Sequence, residues 1–277
     1  MKKIVLSAML CMPLLAQAEK TTIQTTFQTL TFAHSKKKDK GKRTGLHLSH
    51  KEGKHHYQLA YAHSDTQTFK PPMKEDLEVH KYALRYSYTL DKKQTISGSF
   101  LHIDDNLMRE TDGGNIYGIA YRYYDFGIAQ YLSDYPHFDV YQTDLTYHKT
   151  KNFGDIQAHA TFMLKYIHLA DKNSNNFSKN AKKDYLTPAI KVHLHRGDYH
   201  LGAAVFLGKR IFGVMQEGFF VQHHAMEFDE TYMLGISKDF GTMTAKIKYV
   251  HQNAEEIPIH NENVKADSIV LQLKVTF

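Results

Sequence analysis

The sequence is poor in the residues that mark several common protein classes. It has no tryptophan, six prolines and one cysteine in 277 residues, and the cysteine, Cys11, lies in an apolar amino-terminal segment. We therefore expect no disulfide and no cysteine-based metal motif. After this segment no apolar run approaches the roughly 18 residues that indicate a transmembrane helix. Glycine-rich phosphate loops, Gly-x-Ser-x-Gly and nucleic-acid-binding motifs are also absent, so we expect neither those activities nor nucleic acid as a partner.

The amino terminus has the pattern of an export signal. Met1-Lys2-Lys3 is a charged start, an apolar core extends from Ile4 to Leu15, and Ala16-Gln17-Ala18 is a small-x-small cleavage site. This core is too short to span a bilayer, which takes about 20 residues. We predict a cleaved signal peptide at residues 1–18 and, because no linker or repeat divides the remainder, one domain over residues 19–277.

The composition of the remaining chain favours a membrane barrel over a soluble domain. Tyrosine (18) and phenylalanine (16) are plentiful, yet mean hydropathy is −0.49. Transmembrane barrels are hydrophilic on average because half of each strand faces the lumen. Without tryptophan, any aromatic belts must consist of tyrosine and phenylalanine. The alternative is a periplasmic β-sandwich.

Alternating apolar and polar residues predict an all-β fold, an antiparallel up-and-down barrel. Short and long connections alternate along the chain, as in outer-membrane barrels with short periplasmic turns and longer external loops. The long set includes the basic segment Ser35–Arg43 and the segments Asp171–Asp184 and Gly213–Glu230. We predict fourteen strands with both ends periplasmic; a weak run before Ser133–Asp139 leaves twelve as the alternative. The predicted runs are Thr22–Phe32, Thr44–His50, Tyr57–His63, His80–Leu90, Thr95–Ile103, Tyr117–Tyr124, Ile128–Leu132, Val140–Lys149, Ile156–Ile167, Leu186–His195, Tyr199–Phe212, Thr231–Lys238, Thr242–His251 and Ala266–Phe277.

The last run carries the most specific resemblance. Its apolar face is Ile269, Leu271, Leu273, Val275 and the terminal Phe277. This ending resembles the carboxy-terminal targeting strand of Gram-negative outer-membrane β-barrels, whose assembly machinery reads a terminal phenylalanine. The resemblance to a small porin-like barrel implies location in the outer membrane, and as partners the barrel assembly machinery, outer-membrane lipid and lipopolysaccharide.

The register of each run predicts which side chains face lipid. In His80–Leu90, Tyr82 and Leu84 face outward, which leaves Lys81 and Arg85 in the lumen. A basic wall would concentrate anions and repel cations, so we expect a channel for small, preferentially anionic solutes, without a cofactor. The alternative is that these cations pair with loop acids such as Glu217 and brace a plug. The predicted lumen-lining cations are Lys81, Arg85, Arg122, Lys165, Lys191, Arg210, Lys246, Lys248 and Lys274.

Histidine is abundant, with 19 in the chain, and one group has informative spacing. If Arg196-Gly197 is a two-residue turn, His193 lies opposite His200, and His195 projects into the lumen beside them. Such a group is suited to holding a transition metal or to sensing pH.

Two other functions remain open. The size and strand count are similar to the barrel domain of surface lipoprotein assembly modifiers, which implies a surface lipoprotein as partner, but their helical-repeat domain has no counterpart between Ala18 and the first strand.

His47-Leu48-Ser49 resembles the His-x-Ser spacing of outer-membrane lipid A deacylases. Its register places both polar side chains in the lumen, away from acyl chains, and no third catalytic group is evident. We therefore expect no enzyme.

Overall fold

The computed structural model describes residues 20–108, 110–172, 180–222 and 226–277. The predicted signal peptide lies outside these residues. They form a closed antiparallel barrel of fourteen strands and a separate two-stranded sheet inside it, which confirms the predicted all-β class and strand number. No helix among them is long and apolar enough to cross a membrane. The strands are β1 Lys20–Ala33, β2 Lys38–Glu52, β3 His55–Thr68, β4 Leu77–Asp91, β5 Gln94–Asp105, β6 Asn115–Tyr123, β7 Phe126–Asp134, β8 Phe138–Phe153, β9 Ile156–Asp171, β10 Asp184–Arg196, β11 Tyr199–Arg210, β12 Val214–Met215, β13 Phe220–Val221, β14 Met226–Phe240, β15 Met243–Glu256 and β16 Asn261–Thr276.

The barrel closes between its first and last strands. β1 and β16 pair antiparallel from Thr22–Thr276 to Ala33–Lys265, and Phe277 exchanges backbone hydrogen bonds with Thr21, at 2.9 and 3.2 Å. The residues of the predicted assembly signal therefore lie on the strand that closes the sheet. Leu271 and Leu273 face outward there.

The two ends of the barrel differ in their connections. Six hairpins at the end that holds both termini have two-residue turns. Five of these turns start with a residue of positive φ, which glycine adopts most easily: four are glycines and the fifth is Tyr124. The opposite end carries every longer connection. Outer-membrane barrels have short periplasmic turns, so by this pattern we call the end with the short turns periplasmic and the opposite end external.

Several strands extend further toward the outside than the sequence predicts. The basic segment Ser35–Arg43 belongs mostly to β2, and only residues 34–37 connect it to β1. Likewise Ser133–Asp139 contains a tight connection of residues 135–137 between two genuine strands, so the twelve-strand alternative is set aside.

The interior has two halves of different polarity. The external half is filled by apolar side chains, and the periplasmic half is lined by polar and basic ones. Most of the apolar residues come from the inward faces of β4 to β10. A second cluster, around Phe32 and Phe228, is formed by residues of β14, β15, β16 and β1. Members of the larger cluster include Leu77, Val79, Leu101, Ile103, Ile116, Phe138, Val140, Ile167 and Leu169.

The two-sided alternation gives a stability prediction. Ile247 is 47% exposed on the lipid face, between Lys246 and Lys248 on the lumen face. The Ile247→Lys substitution should destabilise the barrel folded in phospholipid vesicles by about 2–4 kcal/mol, because it places a cation in hydrocarbon. Thr242→Lys is the control, since Thr242 lies in the exposed two-residue turn before the same strand and places the same cation in water. Urea titrations should show the loss for Ile247→Lys alone; equal losses would contradict the assigned faces.

Candidate functional site

The connection between β11 and β14 folds into the barrel. Residues 211–222, here called the inward loop, contain the β12–β13 hairpin joined by a single 3-10 turn, Gln216–Gly218. Ile211, Phe212, Val214 and Val221 of this loop belong to the large apolar cluster. The inward loop therefore completes the apolar packing that fills the external half of the lumen.

Polar side chains of β8 and β9 hold one strand of the inward loop. Gln142 acts as a strand partner for Val214: its Oε1 accepts from the Val214 amide at 2.7 Å, and its Nε2 donates to the Val214 carbonyl at 2.9 Å. Lys165 donates to the same carbonyl at 3.0 Å and forms an ion pair with Asp144. Lys165 is only 2% exposed, so its charge depends on these partners.

Basic residues from other parts of the wall hold the tip of the loop. Arg85 forms an ion pair with Glu217, and Lys81 donates to the Val221 carbonyl at 2.9 Å. The Phe220 ring lies between two cations, with Arg43 at 4.7 Å and Lys81 at 4.6 Å from its centroid. The cations thus bind the loop through a carboxylate, a carbonyl and an aromatic face.

The backbone at the tip is strained. Gln216 and Glu217 have φ of 51° and 58°, a left-handed conformation that costs non-glycine residues roughly 1–3 kcal/mol each. The following residue, Gly218, has φ of 100° and packs so close to the wall that a Cβ would lie 2.5 Å from Ser99 Oγ. The tip of the inward loop therefore packs against β5. Its contacts with the wall maintain the strained backbone conformation.

A cavity of about 700 Å³ remains between the inward loop and the opposite wall. Six cationic side chains of Lys and Arg line it, against one carboxylate, Glu217, among the described lining residues. That carboxylate already pairs with Arg85. The cavity therefore has an excess of positive charge. The six cations are Arg43, Lys81, Arg85, Lys191, Lys246 and Lys248.

The nine predicted lumen cations divide into three groups. Lys81, Arg85, Lys191, Lys246 and Lys248 line the cavity. The structure buries Lys165 and Arg210 around the base of the inward loop, where Arg210 donates to Gln222 at 3.0 Å and to Thr231. Arg122 and Lys274 lie near the periplasmic turns, opposite Gly127 and Thr244 respectively.

Sequence reasoning missed three participants. Arg43 belongs to a predicted external loop, but β2 carries it into the lumen. Gln142 gave no charge signal, and Glu217 was considered only as one of several loop acids. One sequence feature does indicate an inserted segment. Several strands have apolar side chains at positions that face the lumen, such as Leu101 and Ile103, and these side chains need an apolar segment inside the barrel to pack against.

The predicted histidine group does come together, with a different register. The two-residue turn is Gly197-Asp198, so His195 lies directly opposite His200 and His193 opposite Gly202. The predicted His193–His200 pairing was therefore wrong by two residues. A turn that begins on Gly197 is favoured because its φ is 55°. The imidazole rings remain neighbours, with centroids 4.1 Å apart for His195 and His200 and 4.4 Å for His193 and His195.

In the His47-Leu48-Ser49 segment, the histidine and the serine are each hydrogen-bonded to another residue. Ser49 Oγ is hydrogen-bonded to His56 Nε2 at 2.7 Å, while His47 Nε2 contacts Gln58 at 3.4 Å. Among the hydrogen bonds and ion pairs found in the described part of the chain, no carboxylate orients His56. A nucleophile–base pair without an orienting third group is weak evidence for an acyl-transfer enzyme.

Tyrosine, histidine and acid side chains link neighbouring strands at the external, lipid-facing rim. Tyr166 and His168 both bond Asp184, at 2.5 and 2.8 Å, and Tyr249 and His251 bond Asp267 at the same two distances. On β3 and β4, Tyr61, His63, Glu78 and His80 form a related group. We call these three groups the external belt.

A further charge cluster fixes the tight connection between β7 and β8. Lys172 pairs with Asp134 and Asp139 and donates to the Tyr135 carbonyl at 3.0 Å. Hydrogen bonds that Lys172 donates to the two carboxylates hold the pKa of its ammonium above its usual value. Burial of Tyr135 under the cluster raises the pKa of its phenol. Tyr135 also belongs to the large apolar cluster, so these ion pairs join the connection to the filled external half.

Comparison with known proteins places the fold. The sequence matches no family model and no curated protein. Solved structures with a similar fold include the CymD monoaromatic hydrocarbon channel (TM-score 0.56, 11% identity, 95% of this chain and 89% of that chain). A bacterial polysaccharide outer membrane secretin (0.53, 8%, 92% and 97%) and the outer membrane protein Omp33 of Acinetobacter baumannii (0.51, 10%, 93% and 99%) are also similar. At these identities the likeness concerns the fold alone: this chain has the closed antiparallel β-barrel fold of these outer-membrane proteins.

Proposed function

We propose that this barrel is a channel for small anionic solutes, with the inward loop as its gate. The observation that carries the proposal is the cavity with six Lys and Arg side chains and a single, already paired, carboxylate. Low-dielectric walls focus the field of such charges into the lumen, which raises the local concentration of anions and repels cations.

The charges that remain available to a solute lie on β10 and β15. Among the described residues, Lys191, Lys246 and Lys248 have no carboxylate within ion-pair distance. By contrast, Lys81, Arg85 and Lys165 bind the loop. Both alternatives drawn from the sequence therefore contribute: some cations brace the inward loop, and the others are free to attract solutes.

Passage requires the inward loop to move. In its present position the loop completes an apolar cluster across the external half of the lumen. Its strained tip depends on a few contacts, chiefly Arg85 with Glu217 and Gln142 with Val214. Segments held in strained conformations by a small number of contacts are suited to switching between two positions.

The similar structures support a channel in general terms and leave the solute open. One is described as a hydrocarbon channel and another as a polysaccharide secretin, so one architecture serves different solutes. The charges of this lumen, rather than the fold, favour anions.

The proposal extends to the barrel's surroundings. We propose that the strand ending in Phe277 is read by the barrel assembly machinery, and that the external belt contacts outer-membrane lipid and lipopolysaccharide. The second candidate function is display or assembly of a surface lipoprotein; the filled external half favours it, because a partner-dependent barrel need not conduct on its own.

Ion selectivity tests the charge of the lumen. In planar bilayers with a KCl gradient, the wild-type protein should give a reversal potential that favours chloride. Replacing Lys246 and Lys248 together by glutamate should shift that potential toward potassium, because the two substitutions make the formal charge of the cavity lining more negative by four units. Lys92→Glu, in a two-residue periplasmic turn, is the control and should leave selectivity near wild type. A silent wild-type barrel would move the assignment to the partner-dependent display role.

The gate can be tested at its point of closest approach. Gly218→Val should displace the inward loop, because the new side chain meets Ser99 and has an unfavourable φ of 100°. We expect larger or more frequent openings than in wild type. Gly98→Val is the control, since a Cβ there meets nothing within 4 Å. Unchanged openings in both Gly218→Val and Gln142→Leu, which removes the Val214 contacts, would refute the gating role.

A further inference from the structure

Beyond the proposed channel function, we propose that His193, His195 and His200 bind a divalent transition metal ion such as Zn²⁺ at the periplasmic end of the lumen. One ring nitrogen from each histidine lies within 4.8 Å of the others. The three residues come from two neighbouring strands, β10 and β11, next to their tight turn. Imidazole is a preferred ligand of Zn²⁺, Cu²⁺ and Ni²⁺, whereas Ca²⁺ and Mg²⁺ prefer oxygen.

The backbone already fixes the relative positions of the three ligands. His193 and His195 are two residues apart, so they face the same side, and His200 is directly opposite His195. With Zn–N distances of about 2.1 Å, nitrogens in a tetrahedral site are roughly 3.4 Å apart. Rotation of the side chains suffices to close the group to that spacing, because the strand register needs no change.

Unused hydrogen-bonding capacity is a second sign of a ligand. His193 Nε2 is buried and has no hydrogen-bond partner. Buried polar atoms are nearly always paired, and an orphan calls for an explanation. A metal ion bound to the group would supply the missing partner.

A carboxylate orients the third ligand. His200 Nε2 donates to Asp239 Oδ2 at 2.8 Å, which leaves Nδ1 free for the metal. Asp239 is itself fixed by the Thr244 hydroxyl, which donates to its Oδ1 at 2.5 Å. Carboxylate–histidine–metal arrangements of this kind set the ring orientation and increase ligand basicity. We therefore assign Asp239 as the positioning residue of the site.

The neighbouring side chains define the composition of the site. His159 is close to His195, with ring centroids 5.4 Å apart, but its nitrogens bond Thr150 and Gln157. This leaves three histidine ligands and one position for water, the pattern of open zinc sites. Lys246 acts electrostatically on His193 and opposes a bound cation, whereas the charge of Asp239 favours one.

The related group in the external belt is a less suitable site. His63, Glu78 and His80 also place ligand atoms within 4.8 Å, but their histidines already bond to Asp65, Tyr61 and Glu78. Metal binding there would break existing hydrogen bonds. The group therefore serves as the matched control for the lumen site.

The test is a metal titration of the whole barrel, purified in detergent and stripped with EDTA. Co²⁺ should bind with one-to-one stoichiometry and a visible spectrum of low-coordinate nitrogen ligation, and Zn²⁺ should displace it. His193→Gln and His200→Gln should each weaken binding by about tenfold or more, and Asp239→Asn by about 10–100-fold. His80→Gln should bind as the wild type does. Heat-modified gel mobility checks that each variant is folded.

A second readout needs no variant. Diethylpyrocarbonate labelling followed by mass spectrometry should show Zn²⁺ protecting the peptide that contains residues 193–200, and leaving His63 and His80 reactive. Absence of saturable binding, binding unaffected by the His193 and His200 substitutions, or protection confined to the external belt would each overturn the proposal.

Discussion

The structure depends on one constraint: within a bilayer every backbone amide and carbonyl must find a partner in the chain. A sheet meets this requirement only when it closes, and here closure rests on the pairing of β1 with β16. Closure then divides each strand into a lipid face and a lumen face. The Lys246-Ile247-Lys248 sequence shows the consequence, because the same register that puts Ile247 in lipid puts both lysines in the lumen. The positions of the strand cations that line the lumen follow from this division.

The lumen in turn had to be partly filled from within. A barrel of fourteen strands is wider than wall side chains can pack, and the inward loop supplies the missing volume in the external half. Its backbone polar groups need partners inside the barrel, which explains why Gln142 imitates a neighbouring strand and why Lys81 and Lys165 bond loop carbonyls. Basic residues that resemble pore lining in the sequence thus serve in part as hydrogen-bond donors to an inserted segment.

Alternation was sufficient to predict the fold from the sequence. It indicated fourteen strands, their approximate limits and the face of residues such as Lys81 and Tyr82, because a half-buried strand in lipid tolerates few exceptions to the period of two. The site was less predictable. No local pattern in Gly213–Glu230 indicates that the chain turns inward. The indication comes from distant strands, in apolar residues that face the lumen, such as Leu77 and Ile103. Turn register was also uncertain, since Arg196-Gly197-Asp198 allows several two-residue turns, and only the positive φ of Gly197 selects among them.

The unpaired cations of the cavity give the last step of the argument. A lysine ammonium in a low-dielectric environment without a counter-charge is costly, and like charges raise that cost. Lys191, Lys246 and Lys248 all line the same space, and Glu217 is committed to Arg85. Their charges are tolerable only if the cavity holds water or a mobile anion, because no carboxylate of the described residues lies within ion-pair distance of these three lysines. The barrel therefore combines a filled external half with a periplasmic half whose lysines require water or a mobile anion, and this requirement follows from the folded chain itself.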